Sequence, residues 1–188
     1  MGWFSKKISD AEILGSDAGQ LARTSVLGEF ALTEYHSGGK FTQPSGFFRD
    51  PYIVGFLHGY LVTMADVGSA TRKKRWTQEE ASEFMISAME AAVGSENVYD
   101  FISETRKCKD SVKYKDAYFS ANTLIKAIFA NGALANDNSL VCEAKILVEE
   151  RKMFLAEIIP NAGKIDFLSW AIQEISINRH IRLSYLEN

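Results

Sequence analysis

The stretch from Asp50 to Asp66, DPYIVGFLHGYLVTMAD, holds fifteen residues between its aspartates with no formal charge unless His58 is protonated. It is the most hydrophobic run in the chain. It could cross a membrane, wall a cofactor pocket, or form the spine of a core. Fifteen helical residues rise about 22 Å at ~1.5 Å each. A hydrocarbon layer about 30 Å thick asks for roughly 20 apolar residues. The run's length and its bracketing aspartates favour a buried core helix.

Local signals mark where that helix begins. Asp50 offers a cap, and Pro51 sits at the first helical position, where a missing N–H costs nothing. The helix is expected over residues 51–67, ending at Gly68. Gly55 and Gly59 lie one turn apart and form a flat strip. Each costs up to about 1 kcal/mol in a helix interior, so close approach of another helix is the expected compensation. A candidate partner is the upstream segment 10–35, where Ala11, Gly15, Ala18, Ala22 and Ser25 recur every three or four positions. That segment reads as one long helix with a potential break near Gly28.

Further helices follow. Thr77 and Glu80 make a capping box, and Trp76 is placed to pack on Ala81 as a staple. Phe84, Met85, Ala88 and Ala92 continue at helical spacing until Gly94. Shorter or longer periodic runs cover 95–107, 111–130, 138–159 and 161–176, with Asp137 or Asn138 capping the third of these. At 177–186, Ile181, Leu183 and Tyr185 alternate with polar residues, which is a strand period; with no second strand to pair, a frayed helix is expected. The fold class is therefore all-α: a single-domain bundle of about seven helices over residues 1–188, with 51–67 at its centre and 1–9 as a docking tail. Short connections after residue 70 suggest antiparallel neighbours.

Composition sets the class. The chain has 188 residues, 46% hydrophobic and 24% charged, with net charge −3. That is ordinary globular usage, enough to bury a core. An acidic balance disfavours nucleic acid, which usually meets a basic excess. Cys108 and Cys142 are too few for a disulfide framework and read as reduced thiols. The N-terminus lacks a secretory apolar stretch, and Lys6 breaks the myristoylation pattern. A cytoplasmic location is expected.

Catalytic constellations are missing. There are three histidines, His36, His58 and His180, and none forms a Glu-x-x-His pair of the di-iron kind. There is no His-Glu-x-x-His and no Cys-x-x-Cys. Gly38-Gly39-Lys40 follows a helix rather than a strand and reads as a turn. No metal and no cofactor is expected.

Two basic runs stand out. Arg72, Lys73, Lys74 and Arg75 are consecutive and end at Trp76. Arg106, Lys107, Lys109, Lys113 and Lys115 form the second. If the intervening helices were antiparallel, both runs would share one end of the bundle. At the N-terminus, Trp3, Phe4, Lys6 and Lys7 resemble a miniature interfacial anchor, good for at most weak peripheral membrane contact through residues 3–7. In the long loop before Pro51, Phe41, Phe47, Phe48 and nearby Tyr52 are expected to cap the bundle.

The function expected from these features is non-enzymatic: an interaction or regulatory domain that binds a macromolecule, a protein in the first instance. The binding residues would be Arg72, Lys73, Lys74, Arg75, Trp76, Arg106, Lys107 and Lys109. Homo-oligomerisation through the glycine strips stays open. The alternative is a small-ligand or cofactor binder, or an enzyme, with an interhelical pocket at His58, Phe56 and Tyr60.

Overall fold

The structure, a computed structural model, describes the backbone of residues 8–37, 43–71, 75–129, 138–158 and 164–187. Side chains are described for all of these except 32–37, 158 and 164–166. Within the described residues there are seven helices and no strand. They are α1 (Asp10–Ser37), α2 (Pro51–Ala70), α3 (Gln78–Val93), α4 (Val98–Cys108), α5 (Val112–Phe129), α6 (Ser139–Ile158) and α7 (Lys164–Gln173).

The helix starts follow from local chemistry. The Asp50 carboxylate accepts the Tyr52 N–H at 2.7 Å, and Pro51 opens α2. At α3 the capping box is reciprocal: Glu80 N–H donates to Thr77 Oγ1 at 3.2 Å, and Thr77 N–H donates to Glu80 Oε2 at 2.8 Å. The Trp76 ring packs on Phe84, 4.8 Å between centroids, one turn beyond the expected Ala81. Asn138, not Asp137, caps α6 by accepting the Leu140 N–H at 3.0 Å; Asp137 lies outside the described residues. Thr77→Ala should cost about 1 kcal/mol of stability. Thr77→Ser should restore it, as read from urea midpoints.

The two tightest helix pairs are α1 with α3 and α2 with α5, and both run parallel. An alanine Cβ built at Gly55 would lie 2.4 Å from the Tyr114 carbonyl oxygen, and one at Gly59 2.5 Å from that of Tyr118. The register rises together along both helices, and Asn122 Nδ2 donates to Thr63 Oγ1 at 2.9 Å one turn further on. The α1 helix meets α3 in the same way, with Gly15 against the Phe84 carbonyl and Gly19 against that of Ala88. Two expectations are corrected. The partner of the Gly55–Gly59 strip is α5, not α1, and the tightest neighbours are parallel and non-consecutive. Short loops do join consecutive helices. Backbone-to-backbone approach, however, needs small residues facing a complementary groove, and those faces belong to helices distant in sequence. Gly28 leaves α1 unbroken, with nothing within 4 Å of its Cβ position.

The α2 helix runs to Ala70, past the expected stop at Gly68, whose open side takes the Trp76 ring. At 20 residues it is long and apolar enough to span a membrane, so length alone does not exclude that. Its packing argues for a core helix: Ile53, Val54, Phe56, Leu57 and Leu61 are completely buried inside the bundle.

One end of the bundle is closed by aromatics. Phe47 and Phe48 form a 3₁₀ turn, Phe47–Arg49, and both are buried. Phe47 meets Phe30 of α1 edge-on at 5.5 Å and Tyr185 at 5.4 Å. The expected aromatic cap is therefore present for Phe47 and Phe48; Phe41 lies outside the described residues. Tyr185 belongs to a continuation of α7 through Glu174–Asn178, Arg179–Ile181 and Arg182–Leu186. Its first and last segments are π-helical, and Glu187 N–H donates to the Arg182 carbonyl five residues back at 2.9 Å. The tail is helical, as expected, and not a strand. The series facing inward is Ile177, Ile181 and Tyr185, spaced by four, while Leu183 of the apparent strand alternation is 56% exposed.

Candidate functional site

The α4–α5 corner collects the second basic run. Arg106 and Lys107 end α4, Lys109 lies in the turn, and Lys113 and Lys115 stand in the first turn of α5; all five are exposed. Ser111 Oγ accepts the Tyr114 N–H at 3.2 Å and starts α5. Two of the cations are partly answered: Lys107 by Glu104 at 2.7 Å and Lys115 by Asp110 at 4.0 Å. Arg106, Lys109 and Lys113 have no carboxylate within ion-pair distance among the described residues. Between 106 and 115 there are five cations and one carboxylate, Asp110, on a chain of net charge −3.

Helix electrostatics explain only part of this. Cations in the last turn of α4 meet the negative end of the helix dipole and are favoured there. Lys113 and Lys115 occupy the positive end of α5, where cations are disfavoured and carboxylates are usual. No acidic residue occupies that first turn. Asp110 offsets Lys115 in part, whereas Lys113 breaks the local rule with no ion-pair partner, which marks a position whose reason lies elsewhere.

Beside the cations, Tyr99 is 83% exposed and Val112 72% exposed. Tyr99, Ile102, Ser103, Arg106 and Lys107 line a shallow cavity of about 240 Å³ on the outer face of α4. Tyr99 was not legible as a site residue, because its spacing on α4 says only that it faces outward. Its near-complete exposure beside unpaired cations appears only in three dimensions.

Of the first basic run, only its last residue is described. Arg72, Lys73 and Lys74 are outside the described residues. Arg75 is exposed, and its neighbour Trp76 packs against Gly68 near the C-terminal end of α2. The second run adjoins Tyr114, which packs on Gly55 near the other end of α2. Thirteen residues of helix, about 20 Å, separate these two levels. Of the first run only Arg75 is described, and the parallel α2–α5 pairing sets it and Trp76 at the opposite end of α2 from the second run.

At the alternative site, Phe56 and Tyr60 are buried side by side with centroids 6.3 Å apart. His58 points some 200° away around the helix from both. It is half-buried, shares a short hydrogen bond with the Tyr114 hydroxyl, and meets the Tyr118 ring edge-on at 5.5 Å. Burial lowers the His58 pKa, which disfavours the charged imidazolium. Burial pushes the Tyr114 hydroxyl up to about 12. None of the four cavities described here is lined by His58. Among the described residues, no three of His, Cys, Asp and Glu converge as metal ligands.

No protein family matches this chain, and neither does any curated protein or solved structure.

A part-buried polar cluster around Asp50 was missed in the sequence. Asp50 Oδ2 accepts from His180 Nε2 at 3.0 Å and from the Tyr185 hydroxyl at 2.8 Å. Tyr52 stacks on the His180 ring, 4.2 Å between centroids. Burial alone would raise the Asp50 pKa, but the donors His180, Tyr185 and Tyr52 N–H outweigh it and lower it to about 2. Asp50 was legible as a cap, but nothing in the sequence links it to residues some 130 positions away. Nearby, Arg182 is clasped by Glu174 and Glu29, tying the C-terminal tail to α1. All of these groups are engaged with one another and serve to latch the tail.

A larger depression lies between α1 and α3. It encloses about 650 Å³ and has Ile8, Ile13 and Ala91 with the carboxylates of Glu12, Asp17 and Glu90 along it. At its lower end Arg23 donates to the Ala92 carbonyl at 3.2 Å.

Proposed function

We propose that the chain works as a protein-binding module whose α4–α5 corner captures an acidic segment of its partner. The observation that supports this is the pair Lys113 and Lys115, set against the helix dipole beside the unpaired Arg106 and Lys109 and the exposed Tyr99. Exposed cations give steering and specificity, and an exposed tyrosine gives apolar area at low entropic cost. A protein partner is favoured over nucleic acid because Asp100, Glu104 and Asp110 stand among the cations. Discrete carboxylates can interleave with these charges, whereas a continuous phosphate backbone would run into them. Arg75 and Trp76 form a separate surface and are not required.

The test uses a fluorescent octaglutamate peptide. The intact chain should bind it with an affinity that falls as salt rises, and K109E/K113E should weaken binding by about tenfold. Both substitutions are exposed; K113E suits the dipole at the start of α5 while K109E opposes it at the C-cap of α4, so the melting temperature should change little. Equal binding by the variant would remove the corner from the mechanism. Tighter capture of a single-stranded oligonucleotide of equal charge would replace the protein reading with a nucleic-acid one.

A further inference from the structure

The outer face of α5 continues the α4–α5 corner. A helix turns about 100° per residue, so Val112, Lys115, Phe119 and Lys126 fall within a sector about 60° wide. That sector lies opposite the buried side chains Tyr114, Ala117, Ala121 and Leu124. All four of its residues are exposed, Val112 at 72% and Phe119 at 55%. We infer that this stripe receives an acidic amphipathic α-helix of the partner, lying lengthwise along α5. This helix is the acidic segment of the proposed function, on which the inference rests, now given its conformation.

Spacing is the first support. The stripe steps by three, four and seven residues, which is the a/d series of a helix–helix seam. An extended segment has no use for that period. Composition is the second. The outer face of a surface helix is ordinarily polar, yet here two large apolar side chains alternate with two lysines. A sector this narrow is a seam for one helix, whereas a bilayer surface takes a broad apolar face.

Charge is the third, and it selects the occupant. Both polar members of the stripe are cations, and Lys115 has only a 4.0 Å contact with Asp110. The one carboxylate of α5, Asp116, lies about 40° outside the sector. A second copy of the stripe would set lysines against lysines, so self-pairing is opposed and the partner's seam must be flanked by carboxylates. An ion pair with such a helix also gives Lys115 a reason to stand in the first turn of α5 against its dipole.

Fluorescence anisotropy on the full chain tests this with two labelled peptides of leucine, alanine and glutamate, identical in composition and about three heptads long. One has leucine at every a and d position, and the other is scrambled. The intact chain should bind the heptad peptide about tenfold more tightly than the scramble. Helical circular dichroism of that mixture should exceed the sum of its parts. Phe119→Ser should lose about tenfold on the heptad peptide and keep its affinity for octaglutamate, which also shows it folded. Phe119→Leu, which keeps apolar area, should bind both as the intact chain does. An intact chain that binds octaglutamate but does not distinguish heptad from scramble would overturn this inference and leave the proposed function standing. Failure to bind any of the three peptides would overturn both. Heptad binding untouched by Phe119→Ser would place the helix on another surface and overturn the inference. Retention on phosphatidylserine vesicles that Phe119→Ser abolishes, with no preference for the heptad peptide, would replace the partner helix by a membrane surface.

Discussion

Gly59→Ala lowers the free energy of unfolding by about 2–3 kcal/mol, as expected for overpacking where the neighbour cannot give. The added methyl would sit 2.5 Å from the Tyr118 carbonyl oxygen and 2.9 Å from its Cα. These are backbone atoms of a regular helix, so no rotamer change can relieve the contact; α5 must move away. Helix propensity works in the opposite direction, favouring alanine by up to about 1 kcal/mol, and is included in that net value. Gly55→Ala should behave alike, since its Cβ would lie 2.4 Å from the Tyr114 carbonyl oxygen. The two contacts share one helix pair, so the double variant should fall short of additivity: once α5 has moved, the second methyl costs less. Gly28→Ala is the control. It lies in the open on α1, with nothing within 4 Å, and should gain up to about 1 kcal/mol. Urea denaturation followed by circular dichroism separates these outcomes. A neutral Gly59→Ala would mean that the α2–α5 approach is looser than described.

Asp50→Ala should cost about 2–3 kcal/mol, combining a lost helix cap with two part-buried donors left without an acceptor. His180 and Tyr185 both donate to Oδ2, and the Tyr52 N–H donates to Oδ1. Tyr185→Phe removes one donor and leaves the acceptor served by the others, so it should cost about 1 kcal/mol. The same carboxylate sets an acid limit on stability. Its pKa is lowered on folding from 3.8 to about 2, with burial opposed by the three donors. A group depressed in the folded state stabilises that state above its unfolded pKa, and the benefit disappears as pH falls through the folded value. With a side chain only 16% exposed, Asp50 contributes about 2 kcal/mol, complete above about pH 4 and lost toward pH 2. Stability measured across that range should fall steeply in the intact chain and less steeply in Asp50→Ala. An identical slope in the two would show that Asp50 is not the group responsible.

These residues also mark how far local patterns reach. Asp50, Thr77 and Asn138 were readable as caps because capping is decided within three or four residues. The inward faces of α2, α3 and α5 were readable for the same reason, since a period of 3.6 is a local property. Glycine spacing at 55 and 59 announced a close approach without naming what approaches. The tail was readable as helix only against a competing strand signal, because its inward residues recur every four positions in a stretch where Leu183 imitates alternation.

The amino-acid sequence by itself determined that this chain is helical, where most helices begin, and that a basic run with no catalytic motif is its main chemical feature. Only the tertiary structure decided that α2 pairs in parallel with α5, that Arg75 and Trp76 lie at the opposite end of α2 from the second basic run, and that Asp50 meets His180 and Tyr185. The reason is the range of the interactions. Caps and amphipathic periods are written over one or two turns, whereas pairing is fixed by the fit of whole faces brought together across the chain.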